Sequence, residues 1–132
     1  MTGARSRQHG QETLQAILAV SFMLLPILFG IIEMGGLVHL WIGQQSAAAA
    51  GARIAGAQGE DDALVRQRIQ LDLQAAGLDP ALIQVSVNPT VVRWGQPITV
   101  QLRSHRHIAI PFLFSRDLVL TTAYVARGEV NH

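Results

Sequence analysis

The chemically most informative residue of this chain is Glu33, the only charged residue between Glu12 and Arg53. It lies in an apolar run at residues 16–42, AILAVSFMLLPILFGIIEMGGLVHLWI. An ionised carboxylate in hydrocarbon costs several kcal/mol unless it is paired or sheltered. We therefore expect Glu33 to pair with an arginine, an N-terminal ammonium or a hydroxyl group of a neighbouring subunit's helix. The alternative is that it lies at the membrane interface, where water solvates it.

Other residues offer little for catalysis or cofactor binding. Cysteine and lysine are absent, and all ten basic residues are arginine, which excludes thiolate chemistry, a cysteine zinc site, a Schiff base and a P-loop lysine. His105 and His107 would share one face of a strand, but a metal site needs three or four ligands. The acids at residues 60–62 lack the spacing of a calcium loop. We expect no enzymatic activity, metal or cofactor.

The apolar run predicts a single-pass membrane segment, because a spanning helix needs about 20 apolar residues. Arg5 and Arg7 precede the run and acidic residues follow it, which favours a cytoplasmic N-terminus. A cleaved secretory signal is the alternative, with small residues near Ala50 as the cleavage site. The run is, however, about twice the length of a usual signal core of 7–15 residues. The formal net charge of +1 gives no footprint for nucleic acid.

Three regions follow from this organisation. Residues 1–10 are a polar, basic leader without structure of its own. Residues 11–57 form one long helix that begins near residues 11–13, contains the span at about 16–42, and is kinked or loosened at Pro26. Residues 58–132 form an α+β head outside the cytoplasm. The helix has no strong stop before Gly56, so it should continue beyond the bilayer into the head.

The head begins with a short amphipathic helix and continues with strands. Asp61 or Asp62 can cap that helix, and Gly77 is a natural residue to follow its end. Its apolar face carries Val65, Ile69, Leu73 and Ala76. Runs at residues 81–89, 97–105 and 117–129 are rich in β-branched residues or alternate. Inward positions of the first two runs are Ile83, Val85, Val87, Ile98, Val100 and Leu102. We expect three or four antiparallel strands, covered by the short helix and the upper part of the long one.

Two features leave alternatives open. Small residues recur every four positions, as Ala47, Gly51 and Ala55 and again as Ala48, Ala52 and Gly56. Such rows let helices approach closely, either between subunits or against this chain's own sheet. Residues 107–115 read as an apolar connection broken by Pro111. Its apolar residues, 108–110 and 112–114, would be a docking patch for another subunit or the membrane if exposed, but we favour a place in the core.

Three segments in order carry a resemblance to a known family. Gly10–Gln11 opens the helix, residues 30–35 read GIIEMG, and residues 49–53 read AAGAR. This pattern resembles the TadE-like family, pseudopilins or minor pilins of tight-adherence type IV pilus systems. Two positions depart from it. Gln15 stands where the family usually has an acid, and Gly36 stands where it often has arginine.

The resemblance implies a pilin-like fold and a structural role in pilus assembly, adhesion or secretion. It implies a bacterial cytoplasmic membrane location, with possible entry into an extracellular pilus. Partners would be other pilin subunits, a membrane assembly platform, the lipid bilayer and a prepilin peptidase that cleaves between Gly10 and Gln11. Residues expected at assembly contacts are Glu33, Gly35, Ala47, Gly51, Arg53 and Ala55. The alternative function is a membrane-anchored binding or accessory domain in which the helix is only a tether.

Overall fold

The computed structural model describes residues 3–130, with side chains from Gly10 onward. The described part leaves out residues 1–2, residues 131–132 and the side chains of Arg5 and Arg7. The basic residues that precede the apolar run, and the two ends of the chain, are therefore not placed. The chain folds into two α-helices, α1 (Gly3–Gln58) and α2 (Ala63–Ala75), and a short 3₁₀ turn (Pro80–Leu82). Three strands follow, namely β1 (Ile83–Asn88), β2 (Pro97–Ile110) and β3 (Phe114–Arg127). This is an α+β arrangement, as predicted.

The long helix α1 is continuous over 56 residues, about 84 Å at 1.5 Å per residue. It starts at Gly3 rather than near residues 11–13, so residues 3–10 of the predicted leader are helical. Pro26 lies inside the helix without ending it. The C-terminal end agrees with the prediction to within one residue. There Gly59 takes a positive φ of 75° and donates its N–H to the Ala55 carbonyl oxygen at 2.8 Å.

The ends of α2 are those that the sequence predicts. The Asp62 side chain accepts a hydrogen bond from the Ala63 N–H. Gly77 has a φ of 73° and follows the C-terminal cap, and the Leu78 N–H reaches back to the Leu73 carbonyl oxygen at 2.9 Å. Only a residue that tolerates positive φ fits this reversal without strain.

The sheet is antiparallel in the order β1-β2-β3. It has three strands, the lower number of the predicted three to four. The expectation of an apolar connection at residues 107–115 is wrong, because β2 extends to Ile110 and β3 starts at Phe114. The connection is a tight turn in which the Leu113 N–H donates to the Ile110 carbonyl oxygen at 3.2 Å. Pro111 therefore lies in a hairpin turn, where its missing N–H removes no ladder bond.

The core lies where the last third of α1 and α2 cover one face of the sheet. The predicted inward residues of β2, namely Ile98, Val100 and Leu102, are fully buried, and so are Val65, Ile69 and Leu73 of α2. Alternate residues of β2, among them Gln101 and Arg103, are exposed on the opposite face. The head is thus a two-layer unit.

One polar link joins α2 to the edge strand β1. Arg66 forms two hydrogen bonds with the Asp61 carboxylate, at 2.6 and 3.0 Å, and a third with the Val85 carbonyl oxygen at 3.1 Å. The hydrogen bond and charge of Asp61 raise the pKa of Arg66 above its ordinary value, against a smaller opposing effect of burial. The pairing therefore favours the charged form of the arginine.

Candidate functional site

The hairpin formed by β2 and β3 lies along α1. It extends beyond the rest of the head toward the N-terminal half of that helix. Each of its strands has 14 residues, about 46 Å of extended chain. A Cβ added to Gly36 would lie 2.5 Å from Arg106 Nη2, and one added to Gly30 would lie 3.7 Å from Ile110 Cδ1. Nearer the N-terminus of α1, the rings of Phe22 and Phe112 have centroids 4.5 Å apart. The hairpin thus follows α1 into the apolar run.

Glu33 faces this hairpin. Its Oε2 atom lies 3.7 Å from Arg106 Nη2, and the carboxylate side chain is 23% exposed. The same oxygen is buried and accepts no hydrogen bond in the described part of the chain. We expected an arginine on a neighbouring subunit's helix, whereas the structure provides one within the same chain. The long separation leaves one carboxylate oxygen with unused hydrogen-bonding capacity.

The small residues of α1 that we expected at assembly contacts fall into two groups. Ala47 and Ala55 are fully buried, and Gly51 is buried against Ile69 and Val100. These three pack within the chain's own fold, so their surfaces are not available to another subunit. Gly35 and Arg53, by contrast, are exposed and remain accessible.

The residues of the proposed processing position lie in a regular part of α1. Gly10 and Gln11 are both exposed, and no atom of the described part, apart from their chain neighbours and the helix's own backbone, lies within 4 Å of a Cβ built on Gly10. Access is therefore open, but the bond between them is helical. A peptidase that needs an extended substrate would have to unwind the helix locally.

The predicted core position of the apolar segment near Pro111 is only partly correct. Ile108 is buried at 5% exposure. Phe112, Leu113 and Phe114 are instead exposed at 68%, 65% and 54%. The reason is geometric. The turn extends beyond the rest of the head, where only one face of the hairpin contacts α1.

A polar chain on the outer face of the hairpin was not foreseen. His107 Nδ1 lies 2.6 Å from Asp117 Oδ1, and its Nε2 lies 3.0 Å from Ser115 Oγ. The order serine, histidine, aspartate is that of a hydrolase triad. The His107 and Asp117 side chains are 60% and 81% exposed, however, so water competes for every bond and leaves no dry pocket for a reacting group. We interpret this chain of residues as a surface network.

Metal ligation finds no support in the described side chains, residues 10–130. No group of three or more His, Asp or Glu side chains there is placed to hold an ion. His105 is exposed, and His107 is engaged as described above.

The feature with the clearest physical consequence is the apolar surface of α1. From Gly10 the helix is long and apolar enough to cross a membrane, and the residues of its most apolar stretch are unburied within the protein. Large side chains such as Leu18, Met23 and Ile31 are more than half exposed. Such a surface is stable in lipid and unfavourable in water, which indicates a membrane anchor.

Comparisons of the chain with models of known protein families, with curated protein sequences and with solved structures found no match.

Proposed function

We propose that the protein is a minor pilin or pseudopilin of a Tad-type pilus, anchored in the bacterial cytoplasmic membrane and acting as a structural subunit in pilus assembly. The proposal combines the resemblance of about residues 10–56 to the TadE-like family with the form of α1. The head would lie outside the cytoplasm and the N-terminus inside.

The observation that carries the proposal is the continuity of α1 across residues 43–56. A simple tether ends in a flexible linker where it leaves the bilayer. Here the same helix forms the membrane segment and then packs into the head, where Ala48 and Ala52 are fully buried. A rigid rod that joins span and head can position the head relative to neighbouring subunits, as a filament subunit must.

Assembly would use the side of α1 that the hairpin leaves uncovered. Its apolar side chains would exchange contacts with lipid for contacts with neighbouring helices, which gain from close packing. Glu33 faces the hairpin, but its side chain stays 23% exposed. That exposed part would restrict the register of helix contacts beside it, because burial of a carboxylate without a partner is penalised.

A helix chimera tests whether the membrane segment does more than anchor the chain. Residues 13–21 lie before Phe22, the lowest contact with the hairpin that we describe, so they can be replaced by an unrelated apolar sequence of equal length. We expect the chimera to insert into membranes but to lose surface pili and co-purification with other pilins from detergent-solubilised membranes. A conservative exchange, Ile17→Leu with Leu18→Ile, is the matched control and should retain both.

The alternative, a tethered binding domain, predicts a different result. A tether accepts any apolar sequence that spans the bilayer, so the chimera would then behave like the wild type. Normal pili and an unchanged set of co-purified proteins in the chimera would therefore refute the filament role.

A further inference from the structure

The α2 side and the hairpin side of the head extend to very different positions along α1. On the α2 side, the His39 ring donates to the Ala76 carbonyl oxygen at 2.9 Å, and Gly43 packs against Leu78. On the hairpin side, contacts continue down to Phe22. Seventeen residues separate His39 from Phe22, which is about 25 Å along the helix axis. The hairpin therefore projects alone beside the apolar helix.

The end of this projection, residues 110–114, has the sequence Ile-Pro-Phe-Leu-Phe, and we call it the hairpin tip. It contains no polar side chain. Its three most exposed residues, Phe112, Leu113 and Phe114, are each more than half exposed, although the Phe112 ring also lies against Phe22. Three adjacent large apolar side chains at a hairpin turn form an exposed patch that is unfavourable in water.

The backbone of the tip is suited to an apolar environment. Pro111 has no N–H, the Leu113 N–H is bonded to the Ile110 carbonyl oxygen, and Ile110 pairs with Phe114 in the ladder. Few unpaired donors therefore remain to be desolvated. Phe112 adopts a positive φ of 66°, at which glycine would be unstrained. A bulky residue at such a position is a strained outlier, which supports a role for its side chain.

A band of polar side chains lies directly above the tip, and we call it the polar belt. It comprises Glu33, Arg106, His107, Arg116 and Asp117. Eleven residues separate Glu33 from Phe22, about 16 Å along α1. That distance is close to one leaflet of hydrocarbon, about 15 Å. A span of about 20 residues counted from Thr13 also ends just before Glu33. When the polar belt lies among the lipid headgroups, the tip lies among the acyl chains.

We propose that the hairpin tip inserts into the leaflet from which α1 emerges, where phospholipid acyl chains cover Phe112, Leu113 and Phe114. The chain then has two attachments to one membrane, the spanning helix and the tip beside it. The tip shares its surface with α1 through Phe22, so the lipid that covers one covers the other. This inference rests on α1 as a membrane anchor and not on assembly into a pilus.

The absence of cysteine allows a direct test with single-cysteine variants of the full chain in phosphatidylcholine vesicles. Leu113→Cys places the probe at the tip, Leu24→Cys places it on α1, and Trp94→Cys places it on an exposed loop of the head. Each thiol is labelled with an environment-sensitive fluorophore and tested for quenching by brominated acyl chains. Unlabelled samples are treated with a membrane-impermeant maleimide. Residues 94 and 113 both belong to the head, on the same side of the membrane span. Mixed orientation of the protein in the vesicles therefore affects both probes equally.

We expect the probe at residue 113 to be quenched as the probe at residue 24 is, and the probe at residue 94 to be unaffected. Alkylation at residue 113 should be at least about tenfold slower than at residue 94, because a thiol in hydrocarbon does not form the reactive thiolate. If residue 113 behaves like residue 94 while residue 24 is quenched, tip insertion is refuted and the anchor stands. If residue 24 is not quenched either, the anchor itself is refuted, and tip insertion with it.

Discussion

Gly51 of α1 and Ile69 of α2 approach so closely that a Cβ on Gly51 would lie 2.5 Å from Ile69 Cγ1. Ile69 is fully buried in the core, and side chains in such close-packed interiors move aside only at a cost. The contact fixes the distance between the two helices at the centre of the head. It also explains why small residues recur along this part of α1.

Replacement of that glycine should destabilise the head. In Gly51→Ala, overpacking should cost about 1–3 kcal/mol and outweigh the gain of about 1 kcal/mol in helix propensity. Gly35→Ala is the matched control, since a Cβ there meets no atom within 4 Å. The control should be neutral or slightly stabilised. Unfolding followed by circular dichroism in detergent measures both, and equal stability of the two variants would contradict the packing described here.

A second prediction concerns the buried hydrogen bond from the Gln44 side-chain amide to the Ser104 hydroxyl. Gln44 is fully buried, and its Oε1 atom has no partner in the described part of the chain. Ser104→Ala leaves the whole amide unpaired and should lower the free energy of unfolding by about 1–3 kcal/mol. The double variant Gln44→Leu with Ser104→Ala removes both polar groups and should recover most of the loss.

The control for this pair is Ser86→Ala on the exposed side of β1, which should change stability by less than about 0.5 kcal/mol. A double variant that is less stable than Ser104→Ala alone would show that the amide is held by contacts other than this bond.

Glu33 provides a functional prediction that depends on the proposed pilus role. Glu33→Ala should reduce surface pili while the chain still inserts into the membrane, because no carboxylate is then present to restrict the helix contacts. Electron microscopy of cells measures the pili, and membrane fractionation measures insertion. Glu60→Ala, which removes an exposed acid of the head, is the control and should leave pili unchanged. Normal pili in Glu33→Ala would argue against an assembly contact at this residue.

The intrachain partner allows a finer distinction. If the ion pair with Arg106 holds the carboxylate in position, Arg106→Gln should reproduce part of the Glu33→Ala defect. A full complement of pili in Arg106→Gln, together with a defect in Glu33→Ala, would assign the carboxylate to a contact between subunits alone.

Processing at the N-terminus gives a fourth prediction. Cleavage by a prepilin peptidase after Gly10 would produce a mature chain that starts at Gln11. Mass spectrometry and N-terminal sequencing of protein purified from its native membrane measure this directly. Recovery of chains that start at Met1 would show that the helical bond at Gly10 is not cut.

Local signals predicted the helical elements well. The cap at Asp62, the reversal at Gly77 and the apolar spacing of Val65, Ile69 and Leu73 are confirmed, because each depends on residues within a few positions of one another. The alternation of Ile98, Val100 and Leu102 likewise predicted which face of β2 is buried.

The hairpin turn was missed because its local sequence signals are atypical of a turn between two strands. Residues 108–114 are continuously apolar, so they lack the alternation typical of strands. The turn places Phe112, rather than glycine or asparagine, at positive φ. A proline in that run favoured a connection over the end of a strand.

The contacts of the candidate site depend on registers that one sequence does not contain. Seventy-three positions separate Glu33 from Arg106, and sixty separate Gln44 from Ser104. Both pairs join α1 to β2, so they require that β2 lie at one particular position along α1. No pattern of charge or hydropathy within either segment specifies that position.

The hairpin also limits how α1 can turn about its own axis. Contacts at Gly56, Gly36, Gly30 and Phe22 attach the helix to the rest of the head at points spread along about 50 Å of its length. The helix therefore cannot rotate about its axis independently of the head. The orientation of the head sets the direction in which each side of the helix faces in the bilayer. A neighbour that binds the head will meet the same side of the span each time.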